Sequence, residues 1–346
     1  MRLKTVLIQI CKKICTKDDF NGIFAAMGLC KDICGFLEGK GIGCFTEKVG
    51  TSEIIVVRIG TQDTGGMVRM ILPIMVTSGS IAEAERRQIE ASEVIRRISE
   101  LYGSYPLIIT EDRWNLQKGM MHERLLAHLE IFFPVYARNC EVRKIDKSTA
   151  ATFLKANHSY GDAACRYRYG LYIKRHTGHL AATAGAGLYC PGTLVAVATF
   201  SNARKWIKGD KTIRSYEWTR YASLPGVRVT GGMGKLLETF IEDVRPDDIM
   251  SYADLEWSEG KVYEQLGFTH EGWKAPVMFM VDKQWRRSPV KPGMTVLKGT
   301  GEEPGMTSAD NDGAEEDGNP IWGVFQNFGS RKYRLKLTEY DQTYDE

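Results

Sequence analysis

Several things are scarce in this sequence. No apolar run in its 346 residues approaches the ~20 residues of a membrane span. The opening "MRLKTVLIQICKKIC" starts basic, but its apolar part is short and broken by charge, so it lacks the core of a signal peptide. A cytoplasmic protein is therefore expected. The formal net charge is only +3, too weak a bias to require a nucleic-acid partner. There are six histidines and eight cysteines, and no C-x-x-C knuckle. Cys11 and Cys15 are four apart, as are Cys30 and Cys34, with no histidine close by. That spacing puts each pair on one face of a helix, where small buried apolar residues explain it better than zinc. A disulfide framework does not suit a chain this long without an export signal, and no metal is expected.

What is present is an ordinary globular composition, with 43% hydrophobic and 26% charged residues, in a length that suits two domains. Residues 1–139 read as an α+β region of unassigned role. "CKKICTKDDFNGIFAAMGLCKDICGFLEGKG" is helical, and "TSEIIVVRIG" and "GMVRMILPIMVTSG" are strands. "SIAEAERRQIEASEVIRRISELYG" is an amphipathic helix opened by Ser80, with Glu83 completing a capping box. "YPLIIT" is a buried strand, and "MMHERLLAHLEIFF" is a helix. Glu111 and Asp112, at the end of that strand, read as surface charges.

Residues 140–289 alternate strands with helices. "CEVRK" precedes a capped helix, "YRYGLYIKR" and "GTLVAVATFS" are strands, and so are "RSYEWTRYASLP", "DDIMSYADLEW" and "APVMFMVD". Residues 290–320 are acidic and rich in Gly and Pro, the composition of a flexible linker that protease would cut first between about Gly301 and Asn319. Residues 321–346 regain an aromatic, alternating pattern and are expected to dock as a terminal strand on the preceding domain. The fold class is α/β (α+β), a mixed sheet flanked by helices with an N-terminal α+β accessory domain.

The stretch "RVTGGMGKLLETF" (Arg228 to Phe240) sets glycines ahead of a helix whose Leu236, Leu237 and Phe240 share a face. A glycine turn at a helix N-terminus points backbone N–H groups at an anion. A P-loop is rejected, because Val229 stands six before Lys235 where a Gly is needed and Leu236 follows where Ser or Thr is needed. A dinucleotide fingerprint fits weakly. Gly232 and Gly234 supply two glycines and Asp254 an acidic residue, but position 237 is Leu.

A second motif, "VYEQLGF" (Val262 to Phe268), follows the next strand. The order is a strand with a splayed edge, a glycine turn, a helix, a strand and a short helix ending Tyr-x-x-Leu-Gly-Phe. It resembles the GCN5-related N-acetyltransferase (GNAT) superfamily over residues 140–288. Within it, the likeness is to a phage and bacterial branch, either Mom-like or associated with homing endonucleases. The resemblance implies that acetyl-CoA, or another acyl-CoA, is co-substrate and that the signature [R/Q]-x-x-G-x-[G/A] binds its pyrophosphate. Arg228 and Gly231 fit one register, with Met233 departing from it; Val229, Gly232 and Gly234 fit the next. Lys235 adds positive charge. Tyr263 is the implied general acid for the leaving thiolate.

Glu217, on the strand before the turn, is the candidate base, since a carboxylate withdrawn from water shifts toward the range proton transfer wants. An ion pair with Arg220 is its structural alternative. His158 and Tyr160 of "NHSYG", with Arg220, Asp254 and Ser258, are candidate acceptor contacts. Ser258 equally suits an N-cap of the "EGKVYEQL" helix. The basic–aromatic stretches "CRYRYGLYIKR", "RKWIKGDK" and "SRKYRLK" keep nucleic acid open as an acceptor or partner. The expected activity is acyl transfer to an amine. The alternative is a nucleic-acid-associated GNAT-like module, acting in DNA base modification or keeping only a degenerate cofactor site.

Overall fold

A computed structural model describes residues 17–59, 67–77, 79–175, 190–291, 295–296, 306–307 and 321–340. The expectations at Cys11 and Cys15, and most of those for the stretch 290–320, lie outside these residues. The chain opens with α1 (Lys17–Gly39), β1 (Cys44–Val49), β2 (Ser52–Ile59), β3 (Met67–Ile74), α2 (Ile81–Tyr102), β4 (Leu107–Thr110), α3 (Glu111–Leu116) and α4 (Lys118–His128). Then come β5 (Phe133–Tyr136), a 3-10 turn (Ala137–Asn139), β6 (Cys140–Lys144), α5 (Lys147–Asn157), β7 (Tyr167–Ile173), β8 (Leu194–Phe200), β9 (Arg204–Lys208) and β10 (Lys211–Ser223). β11 (Val227–Thr230), α6 (Gly232–Val244), β12 (Asp248–Asp254), α7 (Lys261–Gln265) and β13 (Thr269–Lys274) follow. Last are β14 (Met278–Asp282), β15 (Arg287–Pro289), β16 (Thr295–Val296), β17 (Met306–Thr307), β18 (Ile321–Gln326) and β19 (Ser330–Lys336).

Two compact units emerge. The first takes the described residues up to His122, Asp254–Ser258 and Ala275–Gly329. Its sheet runs β1-β2-β3-β4, with β3 and β4 parallel. The run Ile54–Val57 is buried on both sides. Ile54, Val56, Met70 and Leu72 pack with Val94, Ile95 and Ile98 of α2 and with Phe325 and Phe328. α2 starts as expected, with the Ser80 hydroxyl accepting from the Glu83 amide. The Glu83 carboxylate turns to Arg86 and Arg87 instead of closing the capping box. β15, β14 and β18 form a second antiparallel sheet of this unit.

The second unit holds Glu123–Ala253, Glu259–Lys274 and the described residues from Ser330 on. Its mixed sheet has the order β13-β19-β12-β10-β8-β7-β6, with β9 paired to β10. β11 pairs separately, in parallel, with β5. Helices cover both faces of the sheet. On one face Leu236, Leu237 and Phe240 of α6 bury against Ala196, Ala198, Phe200, Tyr216 and Trp218. Phe240 stacks on Phe200 at 3.8 Å and meets Tyr167 and Tyr216 edge-on at 5.5 Å. Each such contact contributes about 1 kcal/mol beyond the area buried. On the other face Ala150, Phe153 and Leu154 of α5 pack on Val197 and Ala222. The two sets alternate along β8, as a pleated strand requires, and on β10 the irregularity after Trp218 turns Ala222 to the face opposite Tyr216 and Trp218. No helix among the described residues is long and apolar enough to cross a membrane.

Several expectations change. The "APVMFMVD" strand pairs within the first unit, not with the sheet of the second. "IWGVFQNFGSRKYRLK" is two strands, and each joins a different unit. Glu111 and Asp112 are not surface charges. Asp112 is 1% exposed and bound through both oxygens by Arg287, at 2.5 and 3.0 Å. Arg287 and Arg113 also share the buried Glu256. Burial raises the Glu111 carboxyl to about 7. Burial likewise pushes the Cys30 thiol to about 11 and Cys34, hydrogen-bonded to Cys44, to about 12.

Candidate active site

β10 and β12 run parallel and pair only from Ser215–Asp248 to Glu217–Met250. Both strands continue, to Ser223 and Asp254, with no further registered pair. The other edge of β10 stays paired with β8 as far as Ser223–Ala196, through an irregularity between Trp218 and Arg220. A bulge of this kind adds twist and turns one strand away from its neighbour. The result is a parting of two central strands, opening just past Glu217.

Tyr263 sits at that parting. Its hydroxyl lies 2.9 Å from Ser251 Oγ, which is also 3.0 Å from the Trp218 carbonyl. A carbonyl only accepts, so when Ser251 donates its one proton to Trp218, Tyr263 donates to Ser251. The ring stacks on Tyr333 at 5.3 Å and meets Trp218 edge-on at 6.2 Å. Burial raises the Tyr263 phenol above its usual value, and the nearby Glu217 carboxylate adds to this. Glu217 is half-buried; its backbone exchanges hydrogen bonds with Ser201. No hydrogen bond reaches its carboxylate among the described residues. The alternative ion pair does not form, because the Arg220 guanidinium donates to the carbonyls of Gly161 and Thr219.

The glycine turn opens α6. Gly231 is the N-cap at φ 75°, a left-handed conformation that favours glycine. With no capping side chain there, the first-turn amides of Gly232, Met233 and Gly234 lack intrahelical acceptors. The three side-chain positions differ. A Cβ on Gly232 would stand 2.8 Å from Val229 Cγ1, so that glycine lets helix and strand touch. A Cβ on Gly234 would meet only Leu266, at 3.4 Å. Met233 packs against the core, which removes its side chain from the turn's outer surface. Lys235 is not the free cation expected. Its ammonium donates to the carbonyls of Ala137 and Cys140, at 3.0 and 2.6 Å, bracing the helix start. Arg228 is exposed on β11 and lies over the Phe132 ring at 5.2 Å, while Val229 is core.

The candidate acceptor contacts His158, Tyr160 and Arg220 come together. The His158 and Tyr160 rings are 6.3 Å apart, and the Arg220 guanidinium lies 5.9 Å over Tyr160. Asp254 and Ser258 belong to the segment counted with the first unit, and the Asp254 carboxylate accepts from the Glu256 amide at 2.9 Å. Ser258 is not the helix cap either; Gly260 holds that position. Sequence reasoning missed Ser251, which a buried serine facing the Tyr-x-x-Leu-Gly-Phe helix would have signalled. It also missed Tyr221, whose phenol is pushed up by burial and lies 3.3 Å from the Cβ position of Gly232.

No family model and no curated protein matches the chain. Several solved structures are similar over part of it, two of them as follows. One is a chain of the NatC complex bound to Gag peptide and CoA, at 12% identity and TM-score 0.30, covering 58% of this chain and 99% of that one. The other is an acetyltransferase of the GNAT family from Bacillus anthracis, at 11% identity and TM-score 0.27, covering 57% and 95%.

Proposed function

We propose that the second unit is an acyl-CoA-dependent N-acyltransferase, carrying acetyl or another acyl group to an amine. The observation that carries this is the parting of β10 from β12 beside two features: the uncapped glycine start of α6 and the buried phenol of Tyr263. The fit to acyl-CoA is a backbone one. The amides of Gly232, Met233 and Gly234 hold the pyrophosphate, and Gly234 leaves room for it. Lys235 keeps those amides in place instead of meeting the phosphates itself.

Acyl-CoA supplies an acyl group activated as a thioester; transfer to an amine forms an amide and releases a thiol. Glu217, whose carboxylate accepts no hydrogen bond among the described residues, takes the amine proton directly or through a water. A phenol is protonated at neutral pH at its ordinary value, and the burial that raises Tyr263 further keeps it so. It is therefore the proton source for the departing sulfur. Ser251 holds the phenol oxygen in place; as the phenol proton goes to sulfur, the Ser251 hydroxyl turns from the Trp218 carbonyl to donate to the phenol oxygen. His158, Tyr160 and Arg220 line the acceptor side.

Calorimetry with acetyl-CoA and the full chain tests the cofactor half. Binding should also raise the melting temperature, since ligand at 100 times its Kd adds about 2.7 kcal/mol. For the chemistry, thiol release is followed against a panel of amines. Tyr263→Phe should lower turnover by roughly 10²-fold and leave acyl-CoA affinity within a few-fold. Absence of acyl-CoA binding at millimolar concentration would end the reading. A Phe variant as fast as wild type would remove Tyr263 from the chemistry.

A further inference from the structure

β9 and the first half of β10 form a two-stranded ribbon, in register from Lys208–Lys211 to Arg204–Ser215. Among the described residues β9 has no partner but β10. From Arg204 to Arg214 the sequence has five cationic residues and one carboxylate, Asp210. The ribbon is thus more positive than the whole chain, whose net charge is +3. Arg214 is committed to Asp247, at 3.3 Å, and to the Arg245 carbonyl. Arg204, Lys205 and Lys211 have no ion-pair partner among the described residues; the Lys211 ammonium touches only the Glu339 carbonyl, at 3.3 Å. Trp206 is 42% exposed and Ile207 is 77% exposed. Both are large apolar side chains that folding alone leaves in water.

We propose that this ribbon binds single-stranded nucleic acid. Trp206 is the stacking platform for a base, and Arg204 and Lys211 meet the phosphates. Strand alternation puts Arg204 and Trp206 on one face, and the register adds Lys211 to it. The Arg204 guanidinium lies over the indole at 4.9 Å, so the ring already carries a cation on one side. A flat aromatic with cations beside it suits unstacked bases, since every base has a π-face. A duplex hides those faces. A membrane surface would favour one apolar tip, but Trp206 and Ile207 point to opposite faces of the ribbon. The surface needs no acyl-CoA, so this inference stands or falls apart from the catalytic reading.

The test is fluorescence anisotropy of a labelled short oligothymidylate titrated with the full chain. Binding should weaken with salt, with a log–log slope of about −1.4 for two phosphate contacts at ~0.7 each. Trp206→Ala should weaken binding about tenfold, and Trp206→Phe should retain most of it. Arg204→Glu with Lys211→Glu should abolish binding at moderate salt. These side chains are exposed, so the variants should melt like wild type, which circular dichroism checks. No binding at low salt would overturn the proposal, as would unchanged affinity in folded Trp206→Ala. So would tighter binding to a duplex of equal length, or Trp206-dependent binding to phosphatidylserine vesicles in place of the oligonucleotide.

Discussion

Gly232 and Gly234 look alike in the sequence and have different duties. Gly232 is where α6 touches β11, and a methyl there would run into Val229 at 2.8 Å. Gly232→Ala should therefore cost about 1–3 kcal/mol of stability as overpacking, read from a denaturant melt. A variant as stable as wild type would show that this contact relaxes freely. A single buried carboxyl gives a second test at this scale. Glu111 rises from the usual 4.5 to about 7 through burial, though the Val76 amide donates to it. A raised folded pKa means that the folded state holds the proton longer. Its stabilisation is complete below about 4.5 and is lost as pH climbs through about 7. Glu111→Gln keeps an acceptor for Val76 and has no charge to develop. At pH 8 it should be more stable than wild type by up to about 3 kcal/mol, and the gap should close toward pH 5. A gap that does not change with pH would mean the carboxyl titrates normally.

Elements were legible where their pattern is local. The 3.6-residue spacing of Leu236, Leu237 and Phe240 marked α6, and the alternation in "SYEWTRYA" and "IMSYAD" marked the strands on either side of the candidate site. β1 and β9 were missed because they are largely exposed, and the apolar Trp206 and Ile207 of β9 fall on opposite faces instead of marking one. Pairing partners were beyond reach too. The pattern of "APVMFMVD" says strand, but nothing local says that it pairs with a segment about 40 residues on. The Lys235 contacts failed for the same reason, since their carbonyls lie 98 and 95 residues earlier. The buried ion cluster of β15 and α3 is a further non-local feature. Arg287 neutralises Asp112 and Glu256, both 1% exposed, and lies over Phe325 at 4.2 Å. Removing one member of such a cluster strands the others. Arg287→Met should cost about 3–5 kcal/mol, and Arg287→Lys less, because it keeps the charge but loses the two-pronged geometry. Equal stability of all three proteins would mean that water reaches the cluster.

At the scale of the whole chain, the last strand is the most exacting piece. A terminal segment that merely docks on a finished domain can be removed cheaply. β19 is placed differently, between β12 and β13, so that both strands lose a neighbour if it goes. Tyr333 at its centre is 0% exposed and stacks on Tyr263. Arg334 links Asp248 of β12, at 2.6 Å, to Glu271 of β13, at 2.7 Å, and Tyr340 donates to the other Asp248 oxygen at 2.5 Å. Deleting residues 330–346 would therefore split a sheet, bare the aromatic cluster and leave Asp248 buried without its cation. The expected outcome is loss of the near-UV circular dichroism of the second unit, together with any acyl-CoA binding. Tyr333→Ala is the milder version, with a cost of about 3–5 kcal/mol expected for a buried aromatic. Because it also removes the stacking partner of Tyr263, its acyl-CoA turnover should fall more than its acyl-CoA affinity. A truncated chain that keeps its near-UV spectrum and its melting transition would show that β12 and β13 can close up without β19, and the segment would then be the dispensable tail its position in the sequence suggests.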